Sequence, residues 1–478
     1  MFSKTIFIVG YYGFGNTGDE AILATTIAQL RLIDSDINII VSSGSPAATT
    51  HHHNVKAIPW SNIGEIQRAI QVCDIVLIGG GGLFHDYWGV DPNSILTNAH
   101  WGISYYTGAA LLATVHHKPV VLLSVGVGPL FSAHGIRLTK TACDMASLIT
   151  VRDPESKTDL INIGIDENKI TVTADPAFIF NPNNLTQPGK NNISDLKLKK
   201  PVVGVSVRKW ALGVHPDFLE NELASALDLF IQQTDGDVIF IPFQDLRGEH
   251  EDDRAVSHRI RERMRLSNRA QILGEGMSSQ DIYYSIHQCD LIVGMRLHSV
   301  IFALRNHIPT VVLSYDPKLE HLAGEFGLGR WLLDVRAMQA SELVRRMHDA
   351  LAHRADFGQP LSAQLQRSIL AAQQTYSLTA QLVRQPPKSA ELGPDAVALL
   401  SGGVQTQIQH IEQLDSRNRA LVTENASHSE ALAQCRHQLE SQFLIHGEPA
   451  GGEAEAERRR QEAESRRNKE LARENASL

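Results

Sequence analysis

Short apolar runs alternate along the chain with longer stretches in which apolar residues recur at helical spacing. Parallel strands that are buried on both faces read as continuous apolar runs, and strands that alternate with helices are typical of a parallel sheet covered on both sides. The pattern therefore predicts an α/β fold built from parallel sheets. The predicted strands are residues 5–9, 37–41, 74–78, 119–124, 148–151, 170–172, 202–207, 237–242, 270–273, 290–294 and 310–314.

The predicted strands fall into two groups, which indicates two Rossmann-like domains that face a cleft, where ligands commonly bind. Between the groups the periodicity stops and Asn, Pro, Gln, Gly and Lys dominate, as in a linker. The two groups also contain a similar segment, since residues 72–79 and 288–294 each have a helix end, an Asp, a strand and a Gly in the same order. The predicted segments are an N-terminal domain (1–181), a linker (182–200), a second domain with closing helices (201–383), and a second linker with a weak coiled coil and a charged tail (384–478).

Composition narrows the class of protein. Hydrophobic residues make up 43% and charged residues 20% of the chain, as in a soluble globular protein. The net charge of −9 argues against nonspecific binding of nucleic acid. The four Cys are scattered without a CxxC spacing. No apolar run approaches the ~18–20 residues of a membrane helix, and the amino-terminal apolar run is too short for a signal peptide. We therefore expect a cytoplasmic protein with reduced thiols.

The most informative stretch follows the strand predicted at residues 290–294. Arg296 and His298 come directly after that strand and just before a helical pattern. In open α/β sheets, ligands bind beyond the carboxyl ends of the strands, and the next helix turns its amino terminus toward anions. This position predicts that Arg296 binds an anionic substrate, and that His298 transfers a proton or binds the same anion.

The first strand is followed by G-x-G-x-x-G at residues 13–18, a motif that holds pyrophosphate in dinucleotide-binding domains. That class also needs an acidic residue at the end of the second strand, where this chain has two serines. The two acidic residues that follow the glycines would repel a phosphate. The segment is therefore interpreted either as a tight turn in which Asp19 or Glu20 caps the next helix, or as an acceptor-binding loop. Its predicted acceptor-binding residues are Gly15, Asn16, Asp19 and Glu20.

A second glycine run, at residues 79–82, follows the third predicted strand. Glycine lets the backbone approach a ligand closely and present its N–H groups. Four glycines exceed what a flexible turn requires, so the run favours a binding site. We predict that Gly81, Gly82 and Asp86 also bind the acceptor.

Three further cations follow predicted strands, namely Arg152, Arg208 and Lys318. A guanidinium fork binds two oxygens of a carboxylate or phosphate at once, so the two arginines are predicted anion ligands. The alternative for either arginine is a structural ion pair with Asp153 or Asp175. Lys318 lies beyond the strand at residues 310–314, from which it could reach the pocket of the other cations.

Together these segments resemble the polysaccharide pyruvyl transferase family, most of all its branch that acts on bacterial cell-wall polymers. The resemblance covers about residues 5–350, with the segments in the family's order. Its most specific element is the sequence Arg296-Leu297-His298. The matching segments are residues 13–20, 79–86, 126–129, 151–153, 175–178 and 294–299.

The resemblance implies two Rossmann-like domains arranged as in glycosyltransferase-B enzymes. It implies phosphoenolpyruvate as donor and two hydroxyls of a glycan sugar as acceptor, which give a pyruvate ketal and phosphate in cell-envelope or exopolysaccharide biosynthesis. No cofactor is expected, and no metal-ligand cluster is visible in the sequence. The resemblance implies that Arg152, Arg296 and His298 line the donor site, together with Lys318. We predict that Arg208 and Leu297 also bind the donor, and that His298 is the acid/base.

Two other functions stay open. A nucleotide-sugar glycosyltransferase of the same architecture could hold its nucleotide at residues 274–276, and an inactive member could act as a scaffold through its tail. A lipid-linked acceptor would bring the protein to a membrane surface, and the tail could mediate homo-oligomers. In the tail, apolar residues recur near heptad spacing between residues 404 and 444, whereas the charge pattern of residues 451–478 favours a solvated helix or disordered segment over a partner-binding helix.

Overall fold

The computed structural model describes residues 4–185, 193, 196–211, 213–245 and 252–445. The chain forms two compact units, residues 1–407 and residues 408–478, and the first unit contains both sheets. The charged segment at residues 451–478 lies outside the described residues, as does part of the predicted linker at residues 182–200. What the sequence predicts for those segments stays a prediction.

Two parallel sheets form the first unit. The strands of the first sheet are β1 (Thr5–Val9), β2 (Asn38–Ser43), β3 (Lys56–Pro59), β4 (Ile75–Phe84), β5 (Val120–Val127), β6 (Leu148–Val151) and β7 (Ile170–Val172). Those of the second are β8 (Val202–Ser206), β9 (Asp237–Phe240), β10 (Ala270–Ile272), β11 (Leu291–Gly294), β12 (Thr310–Ser314) and β13 (Leu332–Asp334). The strand orders are β3-β2-β1-β4-β5-β6-β7 and β10-β9-β8-β11-β12-β13.

Helices connect the strands. The helices associated with the first sheet are α1 (Thr17–Ile33), α2 (Pro46–His53), α3 (Ile63–Val72), α4 (Gly102–Val115), α5 (Ala133–Met145) and α6 (Pro154–Asn162). Those that follow are α7 (Pro216–Thr234), α8 (Asp253–Arg263), α9 (Ser279–His287), α10 (Leu297–Arg305), α11 (Pro317–Glu325), α12 (Ala340–Ala352), α13 (Gln359–Arg384) and α14 (Pro394–Ile445). None of the helices in the described ranges is long and apolar enough to cross a bilayer.

The alternation of side chains along β1 shows how the first sheet is covered on both faces. Phe7 and Val9 are buried in one hydrophobic cluster, together with residues of α3, α4 and α5. Ile6 and Ile8 point the other way, into a cluster that includes residues of α1 and α13. Since every residue of the strand except Thr5 is buried, the strand has to be a continuous apolar run.

Each sheet reverses its strand order beside its first strand. In the first sheet β1 lies between β2 and β4, and in the second β8 lies between β9 and β11. At such a switch point the connections leave toward opposite faces, which opens a crevice at the carboxyl ends of the strands. This topology explains the similarity between residues 72–79 and 288–294, because β4 and β11 occupy equivalent positions in their sheets.

The predicted α/β class with two parallel-sheet domains is confirmed. One strand was predicted too short, since β4 continues through the glycine run to Phe84 instead of ending at Ile78. The glycines belong to the strand because β5 lies close: a Cβ on Gly79 would be 2.5 Å from the carbonyl oxygen of Leu123. The apolar pattern does not predict β3 and β13, because each is a short edge strand with a single fully buried residue.

The last helices return to the first sheet. Tyr376 and Val383 of α13 are buried in the cluster beneath β1, and the Tyr376 hydroxyl lies 2.9 Å from that of Thr26 in α1. Ala396, at the start of α14, packs into the cluster on the opposite face. The predicted second domain, which ends at residue 383, thus contributes a helix to the core of the first. The coiled coil stays a prediction.

Candidate active site

A cavity of about 380 Å³ lies where the carboxyl ends of the two sheets face each other. Its wall is formed by loops that follow β1, β4, β6, β8, β9, β11 and β12. The two switch points therefore open into one space, as expected for paired Rossmann-like domains. Nine residues predicted for the site line this cavity: Asn16, Asp19, Gly82, Arg152, Arg208, Arg296, Leu297, His298 and Lys318.

The glycine-rich loop after β1 is hydrogen-bonded to the segment after β9. The side chain of Gln244 accepts a hydrogen bond from Nδ2 of Asn16 at 2.9 Å and donates one to the carbonyl oxygen of Phe14 at 2.7 Å. The backbone N–H of Thr17 donates to the carbonyl oxygen of Phe243 at 2.8 Å. The loop is thus a joint between the two sheets as well as part of the wall.

The same loop also caps α1, but the cap is Asn16 and not Asp19 or Glu20, as one interpretation of the sequence expected. Oδ1 of Asn16 accepts hydrogen bonds from the backbone N–H groups of Gly18 and Asp19, at 3.0 and 3.2 Å. Oε1 of Glu20 accepts one from the backbone of Gly13 at 2.7 Å. These bonds satisfy donors that the helix itself leaves unpaired. Asn16 therefore combines the capping role with a place in the cavity wall.

His298, in the first turn of α10, packs against the first turn of α1. A Cβ added to Gly18 would lie 1.8 Å from Nδ1 of the imidazole, so a residue without a side chain is needed there. On the opposite edge of the ring, Nε2 lies 3.4 Å from Oδ2 of Asp175. A carboxylate beside a histidine restricts the orientation of the ring. The imidazole is therefore held between the two sheets with its orientation fixed.

Asp175 contacts both His298 and Arg152. Its Oδ2 accepts a hydrogen bond from Nη1 of Arg152 at 3.0 Å, and its Oδ1 accepts one from the backbone of Ala177 at 2.9 Å. Burial by itself raises the pKa of Asp175, but His298 and Arg152 outweigh it and hold the pKa well below its ordinary value. The ion pair foreseen as the structural alternative for Arg152 is present, and Arg152 nevertheless lines the cavity.

Arg296 is fixed by a second buried carboxylate. Its Nε and Nη2 donate to the two oxygens of Asp253, at 3.0 and 2.5 Å, in the two-point geometry that a guanidinium favours. Asp253 is fully buried and also accepts hydrogen bonds from the backbones of Phe243 and Gln244. Asp253 thus positions Arg296 and the segment after β9 together.

Two cations lie against Gly82. A Cβ at this glycine would be 3.4 Å from Nη2 of Arg152 and 3.5 Å from Nζ of Lys318, so the missing side chain leaves space beside both groups. Burial, with Arg152 adding to it, lowers the pKa of Lys318 to about 8. Arg208 completes the set; its Nη1 donates to the hydroxyl of Tyr315 at 3.1 Å. We call Arg152, Arg208, Arg296 and Lys318 the cationic group.

The cationic group suits a ligand with more than one negative charge. Two of its members are held in place by Asp175 and Asp253, so their positions do not depend on a bound ligand. Rigid cations bind anions without the loss of side-chain freedom that flexible cations would suffer. In the part of the chain that the structure describes, no group of three or more His, Cys, Asp or Glu is arranged to hold a metal ion.

Asp19 is a buried carboxylic acid in the cavity wall. Burial raises the pKa of Asp19 to about 7; nearby carboxylates raise it further, and His298 and Arg152 oppose the rise. A carboxyl group with such a pKa exchanges its proton near neutral pH, which is the property of an acid/base group. Asp19 was predicted to contact the acceptor, and its position in the wall is compatible with that.

Four predicted acceptor-binding residues do not line the cavity, because they have other partners. The carbonyl oxygen of Gly15 accepts a hydrogen bond from the backbone of Asp245, and Glu20 is occupied by Gly13. Gly81 has a positive φ of 89° and leaves room for Asp19. Asp86 accepts hydrogen bonds from the backbones of residues 131 and 132, which ties its loop to α5. Their predicted contact with an acceptor stays a prediction.

The prediction missed several residues that the structure brings to the site. His85 lines the cavity, and burial together with Lys318 lowers its pKa to about 3, so its imidazole is neutral. Its place directly after the glycine run was a signal that could have identified it. Gln244 and Asp253 carry no such signal, because their importance comes from partners far away along the chain. Most of the missed residues are aromatic.

Solved structures show which class of fold this is. HepE from Anabaena, in complex with UDP-glucose, superposes with a TM-score of 0.54 at 14% identity, over 79% of this chain and 100% of HepE. MnaA from S. aureus, in a structure with UDP, has a TM-score of 0.51 at 14% identity, over 82% of this chain and 100% of MnaA. The protein has the two-domain fold of the glycosyltransferase-B type, as predicted.

Sequence comparison then gives the family. The model of the family described as polysaccharide pyruvyl transferase matches residues 16–317, which is more than half of the 478 residues. The chain belongs to the polysaccharide pyruvyl transferase family, and the predicted transferase class is supported. The amylovoran biosynthesis protein AmsJ of Erwinia amylovora is 21% identical over 381 residues, which are 72% of this chain and 92% of AmsJ.

The contact between Gly18 and His298 can be tested by adding one methyl group. We expect Gly18→Ala to lower the free energy of unfolding by about 1–3 kcal/mol, because the methyl would overlap the imidazole. The matched control is Gly64→Ala. Gly64 is likewise the second residue after an Asn cap, in α3, but a Cβ there would lie no closer than 3.4 Å to any other atom. The control should be slightly stabilised, since alanine favours helix. Equal stability of the two variants in denaturant unfolding would contradict the contact.

The raised pKa of Asp19 predicts how stability depends on pH. Folded Asp19 keeps its proton until about pH 7, whereas an unfolded aspartate releases it near pH ~4, so the folded state holds the extra proton in between. Stability contributed by this group therefore falls as pH rises through that window. Asp19→Asn removes this pH dependence. The difference in unfolding free energy between the variant and the wild type should therefore grow in favour of the variant between about pH 4 and 7, by on the order of 1.4 kcal/mol per unit of pKa shift, and then level off. Thermal unfolding at several pH values measures it.

Asp144→Asn provides the control for that experiment, because Asp144 has 52% of its side chain exposed, outside the cavity. Its stability relative to the wild type should change far less over the same window. If the stabilities of Asp19→Asn and Asp144→Asn changed with pH in the same way, Asp19 would not titrate near neutral pH in the folded protein.

Proposed function

We propose that this protein transfers the enolpyruvyl group of phosphoenolpyruvate onto two hydroxyls of a glycan sugar, forming a pyruvate ketal. The observation that carries the proposal is the convergence of the cationic group and His298 on one cavity, from loops of both sheets. Phosphoenolpyruvate carries its phosphate and its carboxylate on the same carbon, C2, so its binding requires several fixed cations close together. The family of this chain supports the transfer of a pyruvyl group to a polysaccharide.

The reaction needs proton transfers in both directions. Protonation of the methylene carbon of phosphoenolpyruvate creates a positive centre at C2, which one sugar hydroxyl attacks. Phosphate then leaves, and the second hydroxyl closes the ketal ring. Of the two protons that the hydroxyls lose, one balances the proton added to the methylene carbon, and the other leaves with phosphate.

His298 and Asp19 are the groups proposed for these transfers. His298 donates the proton to the methylene carbon, because its ring lines the cavity beside the cationic group and is held there between Gly18 and Asp175. Asp19 accepts the proton of the attacking hydroxyl, for which a pKa of about 7 is suited. Phosphoenolpyruvate enters as a co-substrate, so the scheme includes no cofactor. The cytoplasmic location, a lipid-linked acceptor and homo-oligomers through the tail stay predictions.

Replacement of the proposed acid tests its role. We expect His298→Ala to lower the rate of phosphate release from phosphoenolpyruvate, in the presence of glycan acceptor, by ~10²–10⁴-fold, the usual contribution of a positioned acid/base. The matched control is His321→Ala, because His321 is 45% exposed on α11 and does not line the cavity. It should keep the wild-type rate. Full activity of His298→Ala would refute the assignment.

The donor itself can be identified by ligand binding. Phosphoenolpyruvate should raise the thermal midpoint of the protein, since a ligand that binds only the folded state stabilises it. Stabilisation by a nucleotide sugar but not by phosphoenolpyruvate would contradict the proposal in favour of a glycosyltransferase.

The space beside Gly82 gives a more local test of donor binding. In Gly82→Ala the methyl would sit about where an anion meets Arg152 and Lys318, at distances of 3.4 and 3.5 Å that the fold tolerates. We expect the KM for phosphoenolpyruvate to rise about tenfold or more, with little change in thermal midpoint. Gly324→Ala, on α11, is the control, because a Cβ there meets no atom within 4 Å. An unchanged KM in Gly82→Ala would place the donor elsewhere.

A further inference from the structure

Eleven of the 28 residues that line the cavity are Phe, Tyr or Trp, although these types make up only 6% of the chain. Four of the five tryptophans of the chain line this single cavity, and three of the four come from the first sheet's loops. Chance placement would spread such rare residues over the core and the surface. We call the following six residues, all from the amino-terminal 105 residues, the aromatic wall: Tyr11, Phe14, Trp60, Trp88, Trp101 and Tyr105.

Four rings of the aromatic wall pack against one another. Tyr11 and Phe14 are stacked with ring centroids 4.4 Å apart and planes 13° from parallel. Phe14 then meets Trp60 edge-on at 5.4 Å, and Trp60 meets Tyr105 edge-on at 5.8 Å. The loop after β1 and the segments before α3 and within α4 are thus joined into one continuous, fixed aromatic surface.

The other two rings, of Trp88 and Trp101, are exposed to solvent. Their exposed fractions are 57% and 39%, although indole is among the most apolar surfaces a protein can present. Each is followed by a glycine with positive φ, Gly89 at 86° and Gly102 at 53°. These backbone conformations favour glycine, so the sharp turn after each tryptophan is built into the sequence. Exposed apolar groups at the rim of a cavity mark a ligand-binding surface.

A sugar ring matches this combination of groups. The C–H faces of a pyranose are apolar and flat enough to stack on aromatic rings, while its hydroxyls need polar partners at the edges. Asn16, Asp19 and Gln244 line the same cavity and offer such partners. A pyranose is about as large as one indole, so six rings provide room for more than one sugar.

We propose that the aromatic wall is the acceptor subsite, and that it binds a glycan of at least two pyranose residues with their apolar faces against Trp88 and Trp101. This inference rests on the proposed function and specifies its acceptor. It adds to the predicted acceptor-binding residues Asn16 and Asp19 a set of rings of which only Phe14 lies within a motif that the sequence identifies. The reacting sugar would lie next to the cationic group and the rest of the glycan would extend past the exposed indoles.

The test measures glycan binding and donor binding separately. Isothermal titration and saturation-transfer NMR would follow the binding of a panel of pyranosides, from methyl glycosides to tetrasaccharides of gluco, galacto and manno configuration. We expect oligosaccharides to bind more tightly than the methyl glycosides, and the double variant Trp88→Ala/Trp101→Ala to weaken oligosaccharide binding at least about tenfold. Tyr284→Ala is the control, since Tyr284 is 37% exposed and lies outside the cavity.

The stabilisation by phosphoenolpyruvate should be the same in all these variants, which distinguishes this inference from the proposed function. If phosphoenolpyruvate binds but no member of the panel does, or if the double variant binds glycans as the wild type does, the acceptor subsite is wrong and the donor site stands. If methyl glycosides bind as tightly as oligosaccharides, the requirement for two residues is wrong. If phosphoenolpyruvate fails to bind as well, the proposed function falls with it.

Discussion

The contact between the first turn of α1 and His298 is the constraint on which the site depends. It brings a helix of the first sheet against a helix of the second, at a distance that only Gly18 permits. The hydrogen bonds between Asn16 and Gln244 reinforce the same joint. Because packed interiors leave few voids, such a contact sets the spacing of the two switch points and hence the dimensions of the cavity.

Two buried carboxylates fix the positions of two arginines in the charged part of the cavity. Asp175 holds Arg152 beside His298, and Asp253 holds Arg296 beside the segment after β9. Burying these carboxylates is costly unless they are paired, so each needs its arginine. The arginines in turn gain fixed positions. The site is therefore arranged for an anionic ligand before any ligand arrives, which is the condition for tight binding with little loss of conformational freedom.

The cavity divides its tasks between charge and aromatic surface. The cationic group suits the small, highly charged donor that we propose, whereas the aromatic wall suits the proposed glycan acceptor. Asp19 and His298 line the cavity with both sets of residues. Gly15 and Asp86 lie outside the cavity wall, where their hydrogen bonds hold the loops that form it.

The sequence by itself determined the two parallel sheets and the cations after their strands, because apolar runs and residues at strand ends are local features. It also singled out Arg152, Arg296 and His298, since the carboxyl ends of parallel strands meet at one edge. Asp175 was foreseen as a partner of Arg152, but tertiary structure alone decided that it also lies beside His298 and that Asp253 holds Arg296. It also decided the role of Gln244 and the assembly of distant tryptophans into one wall. Those features depend on contacts between residues far apart in the chain, which no local pattern encodes.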